Sequence, residues 1–514
     1  MADGGVVQLL FSGEQNSPLL ASNGDDIEPI NGVVDFGREF LIESKRLWCL
    51  AAPAMFTYFC QYGLITVTQI FAGHLGTVHL AAVSVENSII SGFPFALIVV
   101  GTDFLSTQYG MSSALETYCG QAYGANQYEM LGIYMQRTWL ILNAVALAFL
   151  PLFLFATPVL RLLGQTPAVS REAGRFAVWM NPEHFAYAMT YPSTKFLQAQ
   201  SKVVVLAAIA TAALCLHASL TWLLVSTLGW GLVGAAVALD ASWWFIAVAQ
   251  FAFVVAGSCG EAWSGLSWRA FHDLWKFVKV SLASAMMTCM EIWYSFALTL
   301  FAGYLEDAEI SIDAFSICMN VLGWSSMVAT GLTIATSVRV SNELGRGQPG
   351  RSRLAVVVGG VSSLLTGLLF TIILVASRKQ YPAIFSSNEQ VQKVVEELTP
   401  LLGISIVFSN VQYTLQGVAI GAGWQVRVAY LSVGCYFLLG VPFGTLMAYK
   451  FEMGLKVSWA LVWDGDWFVY ANWAIALDYL HCKLEQRVLE GWRKAETVEC
   501  GKKRQRDKLA KPNI

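Results

Sequence analysis

The stretch Ser113–Gln127, SALETYCGQAYGANQ, has a second copy at Ile334–Gln348, IATSVRVSNELGRGQ. Aligned, the copies share Ala114/Ala335, Gly124/Gly345 and Gln127/Gln348, with Gly120/Ser341 and Gln121/Asn342 as near matches. Three identities in fifteen positions are weak support alone. A second pair, Phe71-Ala-Gly-His-Leu75 and Phe301-Ala-Gly-Tyr-Leu305, precedes the copies in the same order. Long apolar runs flank both. A membrane chain built from two repeated halves usually carries its site between them, so the repeat points to a secondary transporter.

Composition agrees. Of 514 residues, 56% are hydrophobic and 13% charged, against about 25% charged in soluble proteins. Apolar runs near the roughly 20 residues that a span needs occur at 46–70, 80–100, 131–158, 174–198, 203–226, 231–256, 276–302, 312–336, 353–377, 394–420 and 424–448. These eleven, with a twelfth candidate at 455–480, predict an all-α polytopic membrane protein of about twelve spans in a lipid bilayer. The basic residues orient it. The loop Arg339–Arg353 contains Arg346 and Arg351 as well, Arg269, Lys276 and Lys279 cluster at the join between halves, and the tail after His481 is basic, whereas loops 73–79 and 303–309 have no Lys or Arg. The N-terminus, central loop and tail are therefore expected in the cytoplasm. One outer loop, with Arg161, Arg171 and Arg175, dissents.

The expected organisation is a disordered cytosolic tail over 1–42 without a cleaved leader, a first lobe over 43–257, a linker over 258–275, a second lobe over 276–481 and a basic tail over 482–514. Ten Cys without a CxxC spacing and six His without metal spacing predict no disulfide framework, metal or cofactor. No His/Asp/Glu/Ser constellation supports an enzyme, and no feature suggests a nucleic-acid partner.

The motifs Ser84–Ser88 (SVENS), Ser113–Ala125 (SALETYCGQAYGA), Tyr134-Met-Gln-Arg137, Ser341–Gly345 (SNELG) and Gly421–Gln425 (GAGWQ) closely resemble those of the plant branch of the multidrug and toxic compound extrusion (MATE) family, over about residues 40–450. The resemblance implies twelve helices in two six-helix lobes, related by a pseudo-two-fold axis along the membrane normal and opening alternately to either side. It implies a monomeric antiporter of the vacuolar or plasma membrane. Such a protein exports or sequesters organic cations, flavonoids or other secondary metabolites in exchange for protons. The alternatives are a chloride or organic-anion channel or transporter of the same fold, or a defective splice isoform.

Two departures support the isoform alternative. The echoed motifs lie 42 positions apart in the first half (71 to 113) and 33 in the second (301 to 334), which places about nine extra residues near 97–108. Nine residues lengthen a helix by about 13 Å and turn its face roughly half a circle. The segment 455–480 carries Asp464 and Asp466 near its middle, each costing about 2.5–3.5 kcal/mol at a helix centre. The twelfth span is therefore not expected to form reliably.

Few ionisable groups fall within spans, which makes each informative. Glu291 stands mid-helix, with Tyr294 and Ser295 on its face. A carboxyl there suits proton coupling, because proton and substrate compete for one acceptor. The resemblance matches it to the acidic residue of the family's seventh helix. Some plant relatives pair that residue with an Asp in the tenth span, where this chain has Ser409-Asn410, with Thr414 on the face of Asn410. Glu86, Asn87 and Asp240 are first-lobe candidates, and Gln61 and Gln69 make the first span polar on one side. Within the repeat, Glu116, Gln121, Arg339 and Asn342, with Arg137 and Glu343, are candidates for closing an inner gate, and Gly124 and Gly345 for helix caps.

Overall fold

The computed structural model describes residues 32–85, 104–272, 274–302, 308–386, 388–440 and 442. Glu86, Asn87, most of 97–108, the segment 455–480 and the basic tail lie outside the described residues.

Described regular structure is helical. The first lobe comprises α1 (Val33–Leu75), α2 (Thr77–Val85), α3 (Phe104–Gly124), α4 (Tyr128–Leu154), α5 (Ala156–Leu162), α6 (Pro167–Trp179), α7 (Asn181–Ala199), α8 (Val203–Thr221) and α9 (Gly231–Phe253). Two short turns, Gly260–Ala262 and Trp268–Phe271, form the linker. The second lobe comprises α10 (Leu274–Ala302), α11 (Ala308–Gly345), α12 (Pro349–Ala376), α13 (Pro382–Phe385), α14 (Glu389–Ala422) and α15 (Gln425–Ser432). Seven of the described helices are long and apolar enough to cross a membrane.

Backbone groups have no water to bond inside a bilayer, so the helix satisfies them internally. Hydroxyls follow the same rule: Thr57, Thr138 and Thr330 donate to carbonyls one turn back at 2.8, 3.0 and 2.8 Å. Apolar side chains on the outer face, such as Leu365, Leu369 and Ile372 of α12, remain exposed, as a lipid-facing surface requires. Inside, one core joins Phe153, Phe176 and Trp243 in the first lobe. Another joins Phe315, Leu402 and Ile406 in the second.

Two observations change the sequence reading. Helix α1 begins at Val33, so residues 33–42 belong to a helix rather than to the expected tail. The repeated motifs are also helical throughout their first halves: α11 runs to Gly345, well past the expected end at 336. Its 38 residues span about 57 Å at 1.5 Å per residue, more than the roughly 30 Å hydrocarbon layer. The motif therefore extends the helix instead of forming a loop.

Candidate functional site

The two copies of the repeat meet each other. Helix α3 crosses α11 at their C-terminal ends, and the crossing is reciprocal. A Cβ on Gly124 would strike the carbonyl oxygen of Asn342, and one on Gly345 would strike that of Gln121. A Cβ on Gly120 would strike Ser341. Only glycine permits this approach of two backbones, so the shared glycines do more than cap helices. The near-matched amides also act reciprocally. Gln121 Nε2 donates to the Gly421 carbonyl at 3.2 Å, and Asn342 Nδ2 donates to the Ala199 carbonyl at 3.2 Å. Gly421 and Ala199 lie near the ends of α14 and α7, so each lobe's motif bonds the other lobe's fourth long segment. The result is a seal between the lobes, symmetric about a local two-fold.

Charges surround this seal: of the gate candidates, Arg339 and Glu343 pair with each other, while Glu116 and Arg137 find other partners. Glu116 and Arg339 do not pair with each other. Lys195 Nζ on α7 donates to Glu116 Oε2 at 2.6 Å, with both groups buried. The ammonium also lies 5.3 Å from the Tyr109 ring centre. Arg339 holds Glu43 of α1 with two bonds, Nε–Oε1 at 2.6 Å and Nη2–Oε2 at 2.9 Å. It also meets Glu343 at 2.7 Å, and Arg346 reaches Glu343 at 2.9 Å. Arg339, Glu43 and Glu343 are buried. Such a two-bond guanidinium–carboxylate pair fixes geometry as well as charge. Arg137 instead donates to the Arg269 carbonyl at 3.3 Å and lies over Tyr134.

Away from the seal, aromatic rings line the junction of the lobes. Trp324 of α11 stacks on Phe59 at 6.3 Å and meets Tyr62 edge-on at 5.5 Å. Tyr58 donates to the Tyr109 hydroxyl at 3.4 Å, and Tyr109 meets Tyr191 edge-on. Gln61 and Gln69 of α1 are half-buried.

The tenth-span candidates face neighbouring helices. Asn410 Nδ2 donates to Ser325 Oγ and to the Ile406 carbonyl, both at 2.8 Å. Thr414 packs towards Gly359 of α12. Ser409 is buried on the same helix. These groups hold α11, α12 and α14 together. In the first lobe, Asp240 is buried on α9, while Tyr187 donates to the Glu183 carboxylate. Glu291 and Tyr294 keep their places on α10, but their side chains lie outside what is described. Among the described residues, no cluster of His, Cys, Asp and Glu could hold a metal ion.

Sequence reasoning missed Glu43, Lys195 and His217. Lys195 and His217 fall inside predicted spans, and that position alone was a usable signal. His217 is fully buried between Thr68 at 3.0 Å and Ser242 at 3.2 Å, a polar tie among α1, α8 and α9. Glu43 sits just before the first predicted span, and nothing local marks it.

Comparison with known proteins agrees with this architecture. The MatE family model matches residues 53–223 and 283–446, one stretch in each half. Protein DETOXIFICATION 30 of Arabidopsis thaliana is 51% identical over 451 residues, covering 88% of this chain and 89% of the relative. Protein DETOXIFICATION 29 of the same plant is 50% identical over 475 residues, 92% of each. The crystal structure of the eukaryotic MATE transporter AtDTX14 superposes with a TM-score of 0.78 at 30% identity, over 88% of this chain and 100% of that one. An outward-facing multidrug resistance MATE family transporter shares the fold at a TM-score of 0.76 and 15% identity, over 86% of this chain and 97% of that one. The repeat, the reciprocal seal and these likenesses agree: the chain belongs to the MATE family and is a multi-pass membrane transporter with two helical lobes, not an enzyme.

Proposed function

We propose that this transporter is a secondary active antiporter that moves organic compounds out of the cytoplasm in exchange for protons. Organic cations, flavonoids or other plant secondary metabolites are its substrate class, and the vacuolar or plasma membrane its place. The observation that carries the reading is the reciprocal seal. Two lobes joined at one end by a local two-fold can part there and close elsewhere, which is what alternating access requires. Aromatic walls at Phe59, Tyr62 and Trp324 suit flat organic molecules, which stack on such rings.

Proton coupling rests on Glu291. Asn410, at the position where some relatives have a second acid, is neutral and bonded to Ser325, so it supplies no second carboxyl to act with Glu291. Purified protein in acid-loaded vesicles should take up a fluorescent organic cation, and a protonophore should abolish uptake. Glu291→Gln should remove the gradient-driven component while protein level and membrane insertion persist. Uptake in that variant that stays unchanged and still follows pH would exclude Glu291 from the mechanism.

A further inference from the structure

We infer that the inner gate opens on one side only, as a door latched by Glu43, Arg339, Glu343 and Arg346 and hinged at Tyr118 and Phe277. This rests on the alternating-access reading above. The repeat alignment places Arg339 opposite Tyr118 and Glu343 opposite Ala122. Both Arg339 and Tyr118 reach the first long helix of the other lobe. Arg339 meets Glu43 of α1. Tyr118 stacks on Phe277 of α10 at 4.9 Å, and Tyr134 lies 6.3 Å from the same ring. The two-fold therefore relates an ionic clasp to an aromatic one, and the two respond differently to opening.

Buried charges recover hydration when they separate, which offsets the attraction they lose. An aromatic contact recovers nothing and re-exposes apolar area. The linker adds a second, independent asymmetry. Gln136 Nε2 on α4 donates to the Gly265 carbonyl at 2.9 Å, and the Ser267 N–H donates to Gln136 Oε1 at 2.8 Å. Arg137 holds the Arg269 carbonyl. The chain then enters α10 at Leu274, three positions before Phe277. The aromatic side is thus tied covalently and by hydrogen bonds to the first lobe. On the ionic side, α1 and α11 meet with no direct chain connection between them. Substrate from the cytoplasm accordingly reaches the cleft between α1 and α11, past Leu47, Ala51, Ala335 and Val338, which are buried behind the latch.

Hydrogen–deuterium exchange of the full chain in lipid nanodiscs tests this without needing a substrate or a proton gradient. Glu43→Gln should accelerate exchange of peptides covering 44–55 and 332–345 by about tenfold or more, the population shift for losing a charge-assisted bond. Peptides covering 113–118 and 274–285 should be unaffected. Glu43→Asp, which keeps the charge and shortens the arm, should give a smaller effect of the same sign and serves if the Gln variant folds poorly. Equal acceleration on both sides, or no change on either, would overturn the one-sided door. Loss of proton-driven uptake with this exchange pattern intact would count against the coupling mechanism and leave the door standing.

Discussion

Removing one partner of a buried ion pair strands the other, and Lys195 with Glu116 makes the consequence measurable. The pair is closed at 2.6 Å and shielded from solvent. Lys195→Met should lower stability by about 3–5 kcal/mol, because the Glu116 carboxylate is left without its counter-charge. Adding Glu116→Gln should recover most of that loss. Thermal unfolding in detergent, followed by the retained monodisperse fraction, would read both steps. Arg339 offers a second test. It grips Glu43 through two nitrogens and Glu343 through a third contact. Lysine brings a point charge that cannot reproduce the planar two-bond fork. Arg339→Lys should therefore resemble Glu43→Gln in gate exchange far more than it resembles wild type. Wild-type exchange in Arg339→Lys would show that charge alone holds the latch.

Among elements, the crossing of α3 and α11 is a tight constraint on both backbones. Gly124 and Gly345 each lie against a carbonyl of the opposite motif, and neither backbone can yield without separating the helices. Gly124→Val and Gly345→Val should each reduce transport by tenfold or more at normal expression, because a side chain wedged at the crossing keeps the seal from closing. The reciprocal geometry predicts similar losses from the two. A substrate-uptake assay in which one variant is inactive and the other fully active would break the symmetry argument. Repeat spacing suggests about nine extra residues near 97–108, but 104–108 belong to α3, with Thr107 and Gln108 buried, which corrects the downstream bound. Deleting nine residues within 95–103 should preserve or improve insertion and transport, and loss of an otherwise active protein on deletion would show the interval to be integral.

For the whole molecule, membrane class and two-part organisation were legible because both leave long-range marks in a sequence. Apolar runs announce spans, and a repeat keeps its order. The helical extension of the motifs was less legible, since Arg339, Asn342, Glu343 and Gln121 look like loop chemistry until two such helices are laid across each other. Partners were least legible. Nothing within the sequence around Glu43 indicates Arg339, which lies 296 positions away, and Asn410 reads equally as substrate ligand or packing group until Ser325 is placed beside it. Pairing across lobes is a property of the fold, and local spacing does not encode it.

The proposed antiport makes exchange of substrate for protons obligatory, and both fluxes can be followed in one experiment. Vesicles containing the full chain, acid inside and loaded with a pH-sensitive dye, would receive an organic cation from outside. Lumenal pH should rise in step with cation uptake, and both signals should vanish together in Glu291→Gln. Cation uptake at the same rate with no proton movement, or a proton-independent anion current through the same vesicles, would contradict the antiport mechanism.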